Sequence, residues 1–275
     1  MAADINGDRK LDLVFACFSD DMGGSTSSLV FLQDGAGFSG ANPSYQLPTT
    51  GARAVAVGDL DEDAKLDLVF ACQRDGGVFE MDSRIYWGSP SGGFSPSPTD
   101  LPTVGATDVA VADVDGDDDL DLVFANMMND THSYDVPSYV YLNDGSGGFS
   151  TTPDIELATT GACAVAVGNI DLKGWKDLVF ACEQDGDTYM VESCIFLGGT
   201  TGWGQEADVA IPTYGASNVM LADLSDGTSG GYLSQEIVPD DPSNLGAFHT
   251  LRYTASLGPS TTGKVRMVDG TTWEV

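Results

Sequence analysis

The sequence predicts an all-β protein built from repeated units, and three observations support this prediction. An acidic run followed by the apolar segment Leu-Val-Phe-Ala occurs four times in the 275 residues. The four copies begin at residues 4, 59, 113 and 169, about 55 residues apart, and a weak fifth copy begins at residue 223. Short apolar segments lie between the copies, without helical periodicity. A period of this length made of short strands is typical of propeller-like repeat architectures.

Each unit is expected to contain four strands, and the second unit displays them in order. Residues 54–58 predict a first strand that leads into the acidic loop, and residues 66–72 predict a second strand that leaves it. Residues 84–87 predict the third strand, and a weaker fourth strand is expected to open at 92–95. The second strand is apolar on both faces, as expected of an inner strand between two sheets. The predicted fold class is therefore a β-propeller with four-stranded antiparallel blades.

The repeat pattern fades towards the C-terminus. We expect residues 1–227 to form about four clear blades, and residues 228–275 to form an irregular β region. Two segments there, 248–256 and 264–268, alternate between apolar and polar residues and predict strands. They would either complete an irregular fifth blade or begin a β-sandwich, and the sequence leaves both alternatives open.

The acidic loops predict metal sites. Oxygen-bearing side chains recur at positions 1, 3, 5 and 9 of the first three loops, and calcium takes about six to eight oxygen ligands in irregular geometry. Carboxylates about 4 Å apart repel one another by roughly 4 kcal/mol per pair at an effective dielectric constant near ~20, so a counter-charge is expected. The first three loops are therefore predicted to bind Ca²⁺, at about three sites. With position 7 included, the predicted site residues are Asp4, Asn6, Asp8, Lys10, Asp12, Asp59, Asp61, Asp63, Lys65, Asp67, Asp113, Asp115, Asp117, Asp119 and Asp121.

A solvated acidic turn is the alternative interpretation of these loops, because Asp, Asn and Gly are also ordinary turn residues. Three copies with the same spacing favour metal binding. In the fourth loop Lys173 replaces the acid at position 5, so this loop is expected to be neutralised by its own ammonium group. An EF-hand is excluded, since its twelfth position requires Glu and is Phe15, Phe70 or Phe124 here.

Three further features recur with the acidic loops. They are the loop and strand at 113–126, the segment 138–145 with Gly-Gly-Phe-Ser at 147–150, and Gly-Ala pairs at 51, 105, 161 and 215. In these features residues 1–227 resemble the FG-GAP/VCBS repeats of integrin-type β-propellers. The resemblance implies calcium bound at one rim of the propeller, between the first and second strands of each blade.

The chain departs from that family in two respects. Arg9, Ala64 and Asp118 replace the Gly that usually follows the third acid of the loop. The family commonly has seven blades, whereas this sequence contains four clear units and a remnant.

The loops between the second and third strands are candidate ligand-binding elements. In a propeller they would lie on the face opposite the calcium loops. Aromatic faces can stack on a ligand and carboxylates accept hydrogen bonds from hydroxyl groups, which suits a glycan or a protein partner. Alternatively, each Asp caps its own loop through an equivalent Ser, and each aromatic ring fills the gap between blades. The candidate residues are Asp20, Asp75, Phe79, Asp130, Tyr134, Asp185 and Tyr189.

The composition excludes several classes of partner. The net charge of −31, from 42 acidic and 11 basic residues, disfavours binding to nucleic acid or to an anionic membrane surface. The longest apolar runs are only strand-sized, so membrane insertion is not expected. No signal peptide precedes Asp4, and we expect the chain to be a fragment of a larger multidomain protein.

The five cysteines do not form a zinc motif, since no CxxC or Cys/His cluster occurs. Cys17 and Cys72 are equivalent to Cys182 in other repeats and are not expected to pair with it. Cys163, Cys182 and Cys194 lie on successive predicted strands, which leaves one disulfide among them open.

These features together favour a non-catalytic, calcium-binding module outside the cell or on its surface. Its expected ligand is a glycan or an extracellular protein, as in adhesion. Only two histidines occur, in unrelated contexts, so a Ser/His/Asp catalytic arrangement is not expected. The alternative is a scaffold or accessory domain of a secreted polysaccharide-active enzyme, such as a lyase or hydrolase.

Overall fold

The computed structural model describes residues 1–19, 26–33, 37–38, 42–90 and 93–223, and the backbone of three short strands beyond them. Every regular element in these residues is a β-strand. Among the described residues there is no helix long and apolar enough to cross a membrane.

Four antiparallel sheets of four strands follow one another along the chain, and each sheet is a meander. We call them blades 1 to 4. Blade 1 contains β1 (Ala2–Ala3), β2 (Asp12–Phe15), β3 (Ser27–Phe31) and β4 (Tyr45–Pro48). Blade 2 contains β5 (Ala52–Gly58), β6 (Asp67–Cys72), β7 (Glu80–Tyr86) and β8 (Thr99–Val104). Blade 3 contains β9 (Ala106–Ala112), β10 (Asp121–Asn126), β11 (Ser138–Tyr141) and β12 (Ile155–Leu157). Blade 4 contains β13 (Ala162–Gly168), β14 (Asp177–Cys182), β15 (Glu192–Phe196) and β16 (Val209–Pro212).

Two short hairpins follow the four blades. They pair β17 (Leu221–Asp223) with β18 (Tyr232–Ser234), and β19 (Lys264–Arg266) with β20 (Thr272–Glu274). Most of the predicted irregular region 228–275 lies outside the described residues. The choice between a fifth blade and a β-sandwich therefore stays a prediction.

The apolar cores lie between neighbouring blades. All six residues of β6 are buried, and they alternate between two cores. Leu68 and Phe70 pack with side chains of blade 1, whereas Val69 and Ala71 pack with side chains of blade 3. Strands β10 and β14 are buried in the same way. Burying one Leu or Phe side chain contributes roughly 1.5–3 kcal/mol, so the blade-to-blade cores are a main source of stability.

The first strands of blades 2 to 4 lie side by side, since β9 is beside both β5 and β13. This blade-like stacking of four-stranded antiparallel sheets confirms the predicted all-β, propeller-like fold class. Hydrogen bonds also join the blades. The hydroxyl of Tyr86 donates to the carbonyl of Pro48, and the hydroxyl of Tyr141 donates to that of Pro102.

Two predicted strand boundaries in blade 2 are wrong. Strand β7 begins at Glu80 and not at residue 84, because its ladder with β8 extends to a pair between Glu80 and Val104. The fourth strand begins at Thr99, well after the predicted opening at 92–95. Gly93 has a φ of 77° and lies in a tight turn, in which its carbonyl accepts the N–H of Ser89 at 3.0 Å.

All five cysteines are described and are free thiols. The disulfide considered among Cys163, Cys182 and Cys194 is therefore not formed. The thiol of Cys163 instead donates to the carbonyl of Ala216 at 2.9 Å. Burial raises the pKa of Cys163 to about 12, so it stays protonated at neutral pH.

Candidate metal centre

The four acidic loops connect the first and second strands of their blades, as the sequence predicts. We number them loops 1 to 4, for residues 4–12, 59–67, 113–121 and 169–177. Each loop has left-handed backbone at its fourth and sixth positions. Glu62 and Ala64 in loop 2 have φ values of 57° and 64°. The other left-handed residues at these positions are Gly7, Arg9, Gly116, Asp118, Leu172 and Gly174. The loops therefore share one backbone, even though a left-handed conformation costs a non-glycine residue roughly 1–2 kcal/mol.

The aspartate at position 9 holds this backbone in place. In loop 2, Asp67 is fully buried. One carboxylate oxygen accepts the N–H of Leu60 at 2.8 Å, and the other accepts the N–H of Gly88 at 2.7 Å. Burial raises the pKa of Asp67 to about 6, although the two N–H donors partly oppose the rise. Equivalent bonds occur at Asp12, Asp121 and Asp177.

Position 9 thus has a structural role that the sequence reasoning missed. It ties the start of each loop to the turn after the third strand, in loop 4 as well as in the acidic copies. The sequence does contain a signal for this role, because position 9 of loop 4 is still an aspartate, Asp177, although Lys173 replaces the acid at position 5.

Loop 2 brings three carboxylates together. Oxygens of Asp59, Asp61 and Asp67 all lie within 4.8 Å of one another. The Oδ1 atom of Asp59 is buried and has no hydrogen-bond partner, while its Oδ2 atom accepts the N–H of Ala64 at 3.0 Å. Burial and the charges of Asp63 and Asp59 raise the pKa of Asp61. A divalent cation would satisfy the unpaired oxygen and remove the repulsion, so these residues fit a metal ion.

Loop 3 forms a second such group from Asp113, Asp115 and Asp117, whose oxygens also lie within 4.8 Å of one another. Burial and the charge of Asp117 raise the pKa of Asp115. Asp121 is not a member of this group and keeps the hydrogen bonds of position 9.

Loops 1 and 4 contain an ion pair instead. In loop 1, Lys10 Nζ lies 2.7 Å from Asp8 Oδ2, and this bond lowers the pKa of Asp8. In loop 4, Lys173 Nζ lies 2.7 Å from Asp171 Oδ2, as expected from the ammonium at position 5. Among the described residues, only loops 2 and 3 gather three acidic side chains.

The remaining predicted ligands maintain the turn. The N–H groups at position 7 donate to the carboxylate at position 5, from Lys65 to Asp63 at 2.8 Å and from Asp119 to Asp117 at 3.0 Å. In loop 1, Asn6 accepts the N–H of Asp8 at 2.9 Å. Both carboxylate oxygens of Asp4 accept backbone N–H groups of the same loop.

A scan against protein-family models matches residues 4–70 to an FG-GAP-like repeat. Residues 4–70 form an FG-GAP-like repeat. The FG-GAP-like repeat begins at the first residue of loop 1 and ends within β6, so it includes both loops 1 and 2. This match confirms the resemblance stated from the sequence. A search of curated proteins found no match to the chain.

The predicted ligand-binding residues, in the loops between the second and third strands of the blades, do not share one environment. Asp130 accepts N–H groups of Phe79 and of Glu80, the latter at 3.1 Å, and so joins blades 3 and 2. Asp185 accepts the N–H of Thr188 at 2.7 Å within its own loop. Asp75 is exposed, and Asp20 lies outside the described residues.

The aromatic members of that set also differ. Phe79 is buried, and its ring makes an edge-on contact with His132. Tyr134 is half-buried beside Gly186 of blade 4, while Tyr189 is 59% exposed. Filling of the gap between blades is therefore the role of Phe79 and Tyr134 but not of Tyr189.

These aromatic residues share a backbone role that the sequence reasoning missed. The carbonyl of each accepts the N–H of the Gly in the next Gly-Ala pair, as from Gly105 to Phe79 at 2.6 Å. Gly105 has a φ of 59°, and an added Cβ would lie 2.3 Å from the carbonyl oxygen of Met128. The recurrence of Gly at these turns reflects both constraints. The same bond links Gly161 to Tyr134 and Gly215 to Tyr189.

The alternative that each Asp caps its own loop through the equivalent Ser holds for the capping by Asp185 but not for the part given to the Ser. Ser83 is fully buried, and its hydroxyl lies 2.8 Å from that of Thr103. The hydroxyl also accepts the N–H of Cys72 at 3.2 Å. The Ser83 hydroxyl thus makes hydrogen bonds between strands of its own blade and not to the acidic residue of the loop.

Proposed function

We propose that this protein is a calcium-stabilised, non-catalytic binding module in which loops 2 and 3 each hold one Ca²⁺. One observation carries the proposal. Asp59, Asp61 and Asp67 bring carboxylate oxygens within 4.8 Å of one another, and the buried Oδ1 atom of Asp59 has no partner. A buried carboxylate oxygen without a donor is costly, and a bound cation would remove that cost.

The chemistry of the donor set favours calcium over other metals. Every candidate ligand in loops 2 and 3 is an oxygen atom of Asp, and no His or Cys belongs to either group. Zinc sites in proteins usually include Cys or His ligands. Magnesium demands near-ideal octahedral geometry, whereas calcium accepts irregular oxygen shells.

The arrangement supports two of the three calcium sites predicted from the sequence. In loop 1 the ammonium group of Lys10 forms an ion pair with Asp8, so the negative charge of this loop is already partly neutralised. The proposed stoichiometry is therefore two Ca²⁺ per chain from the described loops.

An extracellular or cell-surface location suits such sites. Calcium sites of extracellular modules typically have dissociation constants of about 10⁻⁴–10⁻³ M, which fills them only where calcium is abundant. The net charge of −31 also favours surroundings rich in cations. We infer that the filled loops stiffen the rim, and that loop surfaces of the blades bind a glycan or an extracellular protein.

Counting bound calcium by native mass spectrometry tests the proposal. The wild-type chain should carry two Ca²⁺, and Asp61→Asn should carry one. Asp171→Asn is the matched control, because Asp171 holds the same position in loop 4 and is paired with Lys173. It should leave the count at two. A wild-type chain that binds no calcium at millimolar concentration would refute the proposal.

A further inference from the structure

A pocket of about 240 Å³ lies between blades 3 and 4, beside loop 3. Val114 and Asp115 form its wall on the side of loop 3, and Trp175 contributes from loop 4. The turn after β15 completes it, from Gly198 to Trp203. The pocket therefore combines two indole rings, a carboxylate and a glycine-rich backbone.

The junction of blades 2 and 3 differs from the junction that contains this pocket. At the junction of blades 2 and 3, the side chain of Asn143 donates to the carbonyl of Leu60 at 2.7 Å. Gly198 is the equivalent of Asn143, since the N–H of each donates to the position-9 aspartate of its blade. Val114 is likewise the equivalent of Leu60. Gly198 has no side chain that could make the equivalent bond to Val114, and an added Cβ there would lie 2.2 Å from the carbonyl oxygen of Lys176.

The two indole rings differ in exposure and in hydrogen bonding. Trp203 is half-buried against the core between blades 3 and 4, and its Nε1–H donates to the carbonyl of Lys176 at 2.9 Å. Trp175 is 37% exposed at position 7 of loop 4. Trp203 therefore forms a fixed wall, while the ring of Trp175 offers an accessible apolar face.

The size and polarity of the pocket restrict its ligand. Pockets for drug-sized molecules usually measure about 300–1,000 Å³, so this one suits a single ring. The carboxylate of Asp115 and the net charge of −31 disfavour anions. A fully apolar ring would bury that carboxylate without a donor. A sugar ring presents hydroxyl donors at its edge and C–H groups on its face, which matches both kinds of wall.

We propose that this pocket binds one pyranose ring of a neutral saccharide, with Trp175 and Trp203 as its apolar walls and Asp115 as a hydroxyl acceptor. The inference rests on the proposed binding function and names its ligand class. Asp115 can serve both the saccharide and Ca²⁺, because a carboxylate has two oxygens and about four lone-pair directions.

Titration of the calcium-loaded chain with methyl glycosides of glucose, galactose, mannose and N-acetylglucosamine tests the inference. Tryptophan fluorescence should change saturably with at least one of them, with a dissociation constant on the order of 1 mM, or about −4 kcal/mol. Trp175→Ala should weaken binding at least tenfold. Gly199→Leu should do the same by filling the pocket, since a Cβ added at Gly199 meets only the Gly202 carbonyl oxygen within 4 Å, at 3.8 Å.

Trp87→Phe is the matched control, because Trp87 packs at the junction of blades 2 and 3 and not in this pocket. It should leave the affinity unchanged. An equal loss in Trp87→Phe and Trp175→Ala would overturn the inference, as would binding that survives both pocket variants.

Calcium counting on the same samples separates this inference from the proposed function. A chain that carries two Ca²⁺ and binds none of the glycosides refutes the pocket and leaves the calcium sites standing. A chain that binds a glycoside without carrying calcium refutes the calcium sites and leaves the pocket standing. Tetramethylammonium is included as a probe, and a fluorescence response to it alone would identify a cation cage and overturn the inference.

Discussion

Ser138 and Thr159 share a buried hydrogen bond of 2.9 Å between their hydroxyl oxygens. The bond has a defined direction. Thr159 donates its hydroxyl proton to the carbonyl of Val136 at 3.0 Å, so it accepts the proton of Ser138. Ser138 in turn accepts the N–H of Asn126 at 3.3 Å. The same relay joins the second, third and fourth strands of the other blades through Ser28 and Thr49, Ser83 and Thr103, and Ser193 and Thr213.

The variant Ser138→Ala should lower the free energy of unfolding by about 1–3 kcal/mol, because it removes the acceptor of the buried Asn126 N–H and the donor to the Thr159 hydroxyl. Urea denaturation measures the loss. Ser146→Ala, which removes an exposed hydroxyl bonded to Asp144, is the control and should change stability by less than about 0.5 kcal/mol. Equal effects of the two variants would contradict the relay.

Two glycines with the same backbone angle should differ in their tolerance of alanine. Gly76 has a φ of 60° with no atom within 4 Å of an added Cβ, so Gly76→Ala should cost about 1–2 kcal/mol of backbone strain. Gly105→Ala adds a clash with the carbonyl of Met128, and the total cost should be about 2–5 kcal/mol. Thermal melting of both variants measures the difference. A smaller loss of stability in Gly105→Ala than in Gly76→Ala would rule out the clash.

Ala64→Gly should stabilise the protein. Ala64 has a φ of 64°, and relief of its strain, roughly 1–2 kcal/mol, exceeds the extra chain entropy that Gly loses on folding, about 0.5–1 kcal/mol. A gain of about 0.5–1 kcal/mol is expected in calcium-free buffer. Ala71→Gly, at a buried position in the extended strand β6, should instead destabilise.

The stability contributed by Asp108 should depend on pH. Burial raises its pKa, against the N–H donors Val165 and Val109, so the folded state holds the proton more tightly than the unfolded state. A raised carboxyl pKa lowers stability as pH rises from the unfolded value of about 3.9 through the folded value. Asn cannot titrate. The free energy of unfolding of Asp108→Asn, relative to that of wild type, should therefore be higher at pH 7 than at pH 4. Urea denaturation at both pH values checks the sign, and a reversed order would show that the carboxylate is stabilised in the fold.

Removal of calcium should lower the melting temperature. A ligand that binds only the folded state at about 100 times its dissociation constant contributes about 2.7 kcal/mol per site. Excess chelator should remove this contribution from loops 2 and 3. The double variant Asp61→Asn/Asp115→Asn should melt at the same temperature with and without chelator, whereas Asp171→Asn should respond like wild type. A wild-type melting temperature that does not change with chelator would contradict the proposed sites.

The sequence predicted the blades well because their determinants are local and repeated. The Leu-Val-Phe-Ala segments of blades 2 to 4 are buried on both faces, and each of the four units folds into one sheet. Strand ends were predicted less well. The start of β7 depends on the ladder that pairs Glu80 with Val104, a contact across 24 residues that no local pattern specifies.

The sequence alone determined that the chain is an all-β repeat, where the acidic loops lie, and that a lysine neutralises loop 4. Only the tertiary structure decided which loops gather their carboxylates, that both oxygens of Asp67 accept backbone N–H groups, and that a pocket lies between blades 3 and 4. The physical reason is that these properties depend on contacts between neighbouring blades and between distant turns. The spacing of side chains along one loop does not show whether the turn after the third strand places a hydrogen-bond donor, a charged group or a cavity beside that loop.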